Sequence, residues 1–262
     1  MDLVPRYETH MIDVLARYPA LKAYIASLRS IPTGRFQMGS SSGNEDEKPV
    51  HHVTLSTFRL GETPVTVAVW KEYCRAKKIK LPEAPPWGWI DNHPVVNVSW
   101  NDIMGSDGKG GFCAWASDVA GFRLTLPTEA QFEYAARGRH DDVAYPWGVK
   151  FEDSRLWCSV YKKRGATAAV VRKTHIFRNA FGLTDMCGNV WQWCSDFYAS
   201  YDSAPTVDPT GPVSSSANLR CFRGGAWNST GGRHDFRCAN RSKYFSDINY
   251  DFIGFRLAAG AG

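Results

Sequence analysis

The 262 residues carry a formal charge of +5, with 44% hydrophobic and 13% aromatic residues; that supports a sizeable core and excludes a disordered chain. The basic residues are spread along the chain except for Lys162-Lys163-Arg164 and Arg172-Lys173-His175-Arg178, so no nucleic-acid groove is expected, since that needs a concentrated basic face with stacking aromatics. No segment is apolar for long enough to span a membrane and no basic-then-apolar signal opens the chain, which as written reads as cytoplasmic; a longer precursor would place it at the cell surface.

In residues 8–29, Ile12, Leu15, Tyr18, Leu21, Tyr24, Ile25 and Leu28 recur at nearly helical spacing, with Pro19 ending one helix and opening another. This predicts an N-terminal helical appendage over 1–30. Strand-like runs follow at Arg35 to Gly39 and His52 to Leu60, split by an acidic loop from Gly43 to Pro49. On a strand, His51 and His52 point to opposite faces and do not share a metal. Thr66 caps a helix bearing Val69, Trp70, Tyr73 and Cys74, whose basic C-terminal end suits the helix dipole. Ser99 with Asp102, and Thr128 with Gln131, have the spacing of capping boxes. The first opens a helix that a glycine-rich insertion, Gly105 to Gly111, interrupts before Phe112 to Val119. The second opens a helix running through Ala136 that Gly138 stops. After Pro146 little is helical, and Ser203 to Ala217 reads as a long surface loop. Three short helices among many strands and turns give an α+β domain over 31–262. Seven cysteines, an odd number without CxxC spacing, suggest buried thiols rather than a zinc ribbon or a complete disulfide framework.

At the C-terminus, Arg223 to Trp227 and Ile253 to Leu257 read as β segments with glycines where backbones approach closely. Between them Tyr244, Phe245, Ile248, Tyr250 and Phe252 crowd beside Ser246, Asp247, Asn249 and Asp251, which fits neither the helical nor the strand period. Two readings are open: an irregular loop whose aromatics cover the core, or an adaptable recognition surface of rigid aromatics and small polar groups.

The runs Ile31-Pro32-x-Gly34-x-Phe36-x-Met38-Gly39, His93-Pro94-Val95-Val96-x-Val98-Ser99-Trp100, Leu126-Pro127-Thr128-Glu129-Ala130-x-Phe132-Glu133-Tyr134 and Tyr145-Pro146-Trp147-Gly148 resemble the formylglycine-generating-enzyme (sulfatase-modifying factor) family. So do Asn179 to Gly182, Asp185-Met186-x-Gly188-Asn189-Val190-Trp191-x-Trp193, Arg223-Gly224-Gly225-x-Trp227 and Gly254-Phe255-Arg256, all in family order over about residues 31–258. The resemblance implies a C-type-lectin-like fold. The family's enzyme resembles a copper-dependent oxidase that uses two cysteines shortly after the RGG motif, and here Ser229 and His234 stand at those places. A hydroxyl and an imidazole cannot supply paired thiolates to Cu(I), so the resemblance implies a protein that is not an enzyme. The alternative is a metal-dependent oxidoreductase or protein-modifying enzyme of the same family. The family's calcium site would fall on Asp185, Gly188, Val190 and Gln192, with Gln192 where Glu is usual; no other cofactor is required.

The C-terminal frame also resembles the variable proteins of diversity-generating retroelements, many of which use this lectin-like fold. Arg223 to Trp227, Arg237-x-Ala239-Asn240-Arg241 and Ile253 to Leu257 match their fixed frame, which makes 223–257 the expected variable region. Randomised adenines in Asn codons cannot yield Lys, Glu, Gln, Met or Trp, and between Asn228 and Phe252 the sole residue of that set is Lys243. The resemblance implies a ligand-binding protein whose contacts come from Ser229, Thr230, Gly232, His234, Asp235, Phe236, Tyr244, Phe245, Ser246, Asp247, Ile248, Tyr250, Asp251 and Phe252. A protein surface is the expected partner. Trp227, Arg237 and Arg241 belong to the frame and are expected to be structural.

Overall fold

A computed structural model describes residues 14–261 apart from 109, 139, 141, 163, 164 and 171–177, with the backbone alone at 161 and 162. Ile12 of the expected first helix, and Lys163, Arg164, Arg172, Lys173 and His175 of the basic cluster, lie outside the described residues.

Pro19 opens helix α1 (Pro19–Ala26), where its fixed φ suits the first turn and its missing N–H leaves no bond unmade. The first free N–H groups of α1, those of Ala20 and Leu21, each donate to the buried Glu72 carboxylate at 2.9 Å. Glu72 sits on α2 (Val67–Lys77), so α1 is tied into the main core. Leu21 is fully buried there, which contributes about 1.5–3 kcal/mol.

Both capping boxes form. Ser99 accepts from Asp102 N at the start of α3 (Trp100–Met104), and Thr128 accepts from Gln131 N at the start of α5 (Glu129–Arg137). Between them, the glycine-rich insertion leads into α4 (Gly111–Ala120). Thr66 is the N-cap of α2, but its side chain makes no capping bond; its backbone bridges to Pro94 instead.

Among the described residues, ten short strands form three sheets. Strands β1 (Arg29–Ile31), β4 (Phe58–Leu60) and β10 (Ala258–Gly260) make the first, with β4 in the middle, so the first and last of these strands both pair with β4. Strands β2 (Gly34–Met38) and β3 (His51–Leu55) pair antiparallel, and β6 (Thr206–Val207) joins β3 in parallel. On β3 His51 is buried and His52 exposed, as alternation requires. The third sheet runs β8 (Arg241–Phe245), β7 (Leu219–Arg223), β5 (Trp191–Phe197), β9 (Ile253–Gly254).

The C-terminal frame differs from expectation in two places. Strand β7 stops at Arg223 because Gly224 and Gly225 take φ of +103° and +70°, a turn only glycine enters cheaply. Residues Arg241 to Phe245, read from the sequence as irregular, form an edge strand in register with β7 from Arg223↔Arg241 to Leu219↔Phe245. Its half-buried alternation was hidden because polar and aromatic residues share its outer face.

The main core is aromatic: Trp70 stacks on Phe112 at 5.1 Å and 14°, and Phe255 meets both rings edge-on. A second core packs α5 against β2, β3 and the β4 side of the first sheet.

Candidate ligand-binding surface

The C-terminal segment is held from beneath by buried charge. Glu129, the first residue of α5, accepts from Arg223 Nε at 2.9 Å and from Arg241 Nε and a terminal nitrogen at 2.7 and 2.6 Å. Burial pushes the Glu129 carboxyl up, but the two guanidiniums outweigh it and hold it below the usual carboxylate range. Arg223 also lies 2.9 Å from Glu133 Oε2, an ion pair without hydrogen-bond alignment. Arg237 forms a two-pronged pair with the fully buried Glu47 at 2.6 and 2.5 Å. The frame arginines expected to be structural therefore bind carboxylates of α5 and the 45–47 turn.

Above this base, side chains of β8 and of the segment 246–252 that leads into β9, the strand at the other edge of the third sheet, come together in one row. Phe245 is 51% exposed and packs edge-on to Tyr244. The Tyr244 and Tyr250 hydroxyls are hydrogen-bonded at 2.8 Å, and the Tyr250 ring stacks on Phe252 at 4.9 Å and 9°. Backbone bonds fix this ridge: Asn97 N donates to Tyr250 O, Asn101 N to Ser246 O and Trp191 N to Phe252 O, at 2.9–3.0 Å. Tyr244, Tyr250 and Phe252 rest their inner sides on the main core, so both readings of these aromatics hold at once.

Trp227 links the ridge to the preceding loop. Its indole N–H donates to Asp251 O at 3.1 Å, and its ring meets Trp87 edge-on at 5.2 Å. Thr230 and His234 are exposed beside it, with Gly232 and Asp235 half-buried; the Asp235 carboxylate accepts from Gly231 N at 2.8 Å and shapes the turn. Asp247 is exposed, and Ile248 and Asp251 are half-buried. Arg233, Lys243 and Asp247 are exposed, with the Lys243 ammonium over the Tyr198 ring at 4.1 Å.

Three of the expected contact residues point inward. Phe236 is fully buried against Tyr145, Leu156, Cys158 and Cys187, because the 232–236 turn folds under the Gly225 corner. Ser246 is 1% exposed, its hydroxyl bonded to Asn218 at 2.6 Å and its carbonyl to Asn101 N. Ser229 is buried with its hydroxyl accepting from Ala226 N at 3.0 Å. These side chains set the loop's shape and offer nothing to a ligand. Conversely, Trp87 on the Pro-rich loop before α3 joins the surface from outside the C-terminal segment; the run Pro85-Pro86-Trp87-Gly88-Trp89 was the available signal.

The four residues expected to hold calcium make a closed turn. Gln192 Nε2 donates to Asp185 O at 2.7 Å, and Val190 N donates to Gly188 O at 2.9 Å. Asn189 Nδ2 donates to the Asp185 carboxylate at 3.0 Å. A hard dication needs six or more oxygens, and an amide NH2 directed at the carbonyl oxygens does not fit that need.

All seven cysteines are buried thiols. Burial pushes the thiols of Cys113, Cys187, Cys194 and Cys221 up, away from the thiolate that copper or a disulfide exchange would require. Cys158 lies nearest to Ser229, its sulfur 3.4 Å from the Ser229 carbonyl. No helix among the described residues is long and apolar enough to cross a membrane.

Residues 19–261 match the family model of the sulfatase-modifying factor enzyme 1-like domain. The formylglycine-generating enzyme of Streptomyces coelicolor is 31% identical over 296 residues, covering 88% of each chain. The inactive C-alpha-formylglycine-generating enzyme 2 of Bos taurus is 30% identical, covering 88% of this chain and 87% of that one. Among solved structures, Treponema denticola variable protein 1 superposes with a TM-score of 0.74 at 22% identity, covering 89% of this chain and 95% of that one. The lectin-like α+β architecture read from the sequence is thus the fold of this chain, and the chain belongs to the sulfatase-modifying factor enzyme 1-like family.

Proposed function

We propose that this chain is a non-catalytic binding protein, the variable protein of a diversity-generating retroelement, which presents a changeable C-terminal surface to a protein ligand. The carrying observation is the division of labour within one segment. Arg223, Arg237 and Arg241 are spent on buried carboxylates, while exposed Phe245 and half-buried Tyr244, Tyr250 and Phe252 form an aromatic ridge and Thr230, His234 and Asp247 are exposed. Outer side chains on such a frame change at little cost, within about half a kcal/mol each. The mixed, aromatic and flat character of the ridge suits a protein surface: Tyr and Phe give contact area with few torsions to freeze, and small polar groups adapt around them. A nucleic acid would call for a concentrated basic face, and the segment 228–252 mixes Arg233 and Lys243 with Asp235, Asp247 and Asp251.

The competing reading, a metal-dependent protein-modifying enzyme, is favoured by the 31% identity to a formylglycine-generating enzyme. Against it stand Ser229 and His234 at the places of the paired cysteines and the burial of every thiol. Two experiments divide the readings. Sequencing the DNA around the gene should reveal a near-copy of the stretch encoding Cys221 to Leu257, differing almost only at the copy's adenines, with a reverse transcriptase beside it; no such copy defeats the variable-protein reading. Formation of formylglycine on a sulfatase-type cysteine peptide with added copper would establish the enzyme instead.

A further inference from the structure

The turn from Asp185 to Gln192 lies directly under the recognition segment: Gly188 N donates to Gly224 O at 2.7 Å and Trp227 N to Asn189 O at 2.9 Å. Whatever holds this turn also holds the corner from which the surface departs. Gln192 is fully buried, and the two ends of its amide are assigned by their neighbours. Arg256 Nε donates to Gln192 Oε1 at 2.6 Å, so the oxygen faces the guanidinium. The other end must then be the NH2 group, which donates to Asp185 O at 2.7 Å and reaches Val190 O at 3.5 Å.

Arg256 supplies the positive charge. It is fully buried, and its terminal nitrogens donate to Thr184 O at 2.8 Å, Asp185 O at 3.1 Å and Gly61 O at 2.8 Å. Burial lowers its pKa to about 10, which leaves it charged at neutral pH. Asn189 locks the rest, its amide bonded to both Ala168 backbone groups and to the Asp185 carboxylate. Carbonyl oxygens that a cation would gather are already gathered by protein donors, and a dication placed among them would face an adjacent guanidinium in a medium of low dielectric.

We propose that Gln192, its amide oriented by Arg256, takes the place of a bound cation in this turn, so that the chain folds and holds its C-terminal corner without calcium. The inference concerns the turn alone and stands or falls separately from the ligand-binding reading. The full chain is stripped with EDTA and titrated with calcium chloride, following thermal unfolding and titration heat. Wild type is expected to give the same Tm with chelator and with millimolar calcium, and no saturable heat. Gln192→Glu keeps an acceptor for Arg256 but puts a carboxylate oxygen where the NH2 stood; its Tm is expected to drop in EDTA and recover with calcium. A wild-type Tm that falls on chelation, or stoichiometric calcium uptake, overturns the proposal, as does a folded Gln192→Glu protein indifferent to calcium. Should that variant fail to fold in either condition, the wild-type titration decides alone.

Discussion

Arg241 grips Glu129 with two parallel hydrogen bonds, Nε to Oε1 at 2.7 Å and a terminal nitrogen to Oε2 at 2.6 Å, joining an edge strand to the first turn of a helix 112 residues earlier. Such forked pairs are the strongest of charge-assisted contacts. Because Arg223 shares the same carboxylate, Glu129 faces two buried guanidiniums, and Glu133 beside Arg223 supplies the second negative charge. Replacing Glu129 by Gln takes the carboxylate from Arg241 and leaves Arg223 with Glu133 alone, and a broken buried pair typically costs about 3–5 kcal/mol. Glu129→Gln should therefore lower unfolding free energy by that order in a denaturant titration. A loss below about 1 kcal/mol would show that the network is dispensable.

Asp196 predicts how stability follows pH. Burial raises its pKa from 3.8 to about 7, and the nearby Glu129 charge adds to the rise. The folded state thus keeps a proton that the unfolded chain releases from about pH 4 upward. The unfolded chain binds fewer protons across that window, so this group's contribution to stability falls as pH climbs from about 4 to 7 and is flat above. Its size is of the order of a few kcal/mol. Asp196→Asn keeps an acceptor for Glu129 N and Ser195 Oγ, both at 2.9 Å. The variant should gain on wild type at pH 8 relative to pH 4, measured as a difference in unfolding midpoint; parallel pH profiles would refute the assignment.

How much of this was legible in the sequence varies with the physics behind each element. The capping boxes at Ser99 and Thr128 were readable because their signal is local, two side chains and two backbone groups three residues apart. The frame motifs gave the fold, since family order is long-range information already written in the chain. Strand β8 was not readable. An edge strand buries one face only partly, and Ser242 and Tyr244, half-buried, alternate with the exposed Lys243 and Phe245, which blurs the two-residue period. The inward turn of Phe236 and Ser246 was likewise hidden, because it depends on the Gly225 corner and on Asn218 and Asn101 far away in sequence. Trp87 was missed because its partner Trp227 is 140 residues away, and its Pro-rich run marks a loop without showing what the loop meets.

The contrast between two phenylalanines tests where the surface begins. Phe245 is half-exposed at the end of the ridge, while Phe236 is sealed among Tyr145, Leu156, Cys158 and Cys187. Phe236→Ala should cost about 3–5 kcal/mol through lost burial and the cavity left behind. Phe245→Ala should stay within about half a kcal/mol yet remove exposed aromatic area from the ligand-binding ridge. Paired melting curves would show it, and equal losses in the two variants would erase the proposed boundary between frame and surface.

Gly225 offers the sharpest test of the corner itself. At φ +70° a side chain is strained whatever the space, and here a Cβ would lie 2.8 Å from the Phe236 ring and 2.9 Å from Asp235 O. Phe236 is fully buried and has no room to retreat, so the backbone of the 232–236 turn has to move instead. Left-handed strain of this kind costs of order 1–3 kcal/mol before any clash is counted. Gly225→Ala is expected to lose at least that much and, because the displaced turn carries His234 and adjoins Thr230, to weaken ligand binding beyond what the stability loss explains. Gly88, with φ +75° and no atom within 4 Å of an added Cβ, is the control: Gly88→Ala meets the same left-handed strain without collision and should lose less. Equal losses at the two positions would mean that backbone strain alone, rather than packing of the turn against Phe236, sets the geometry of the corner.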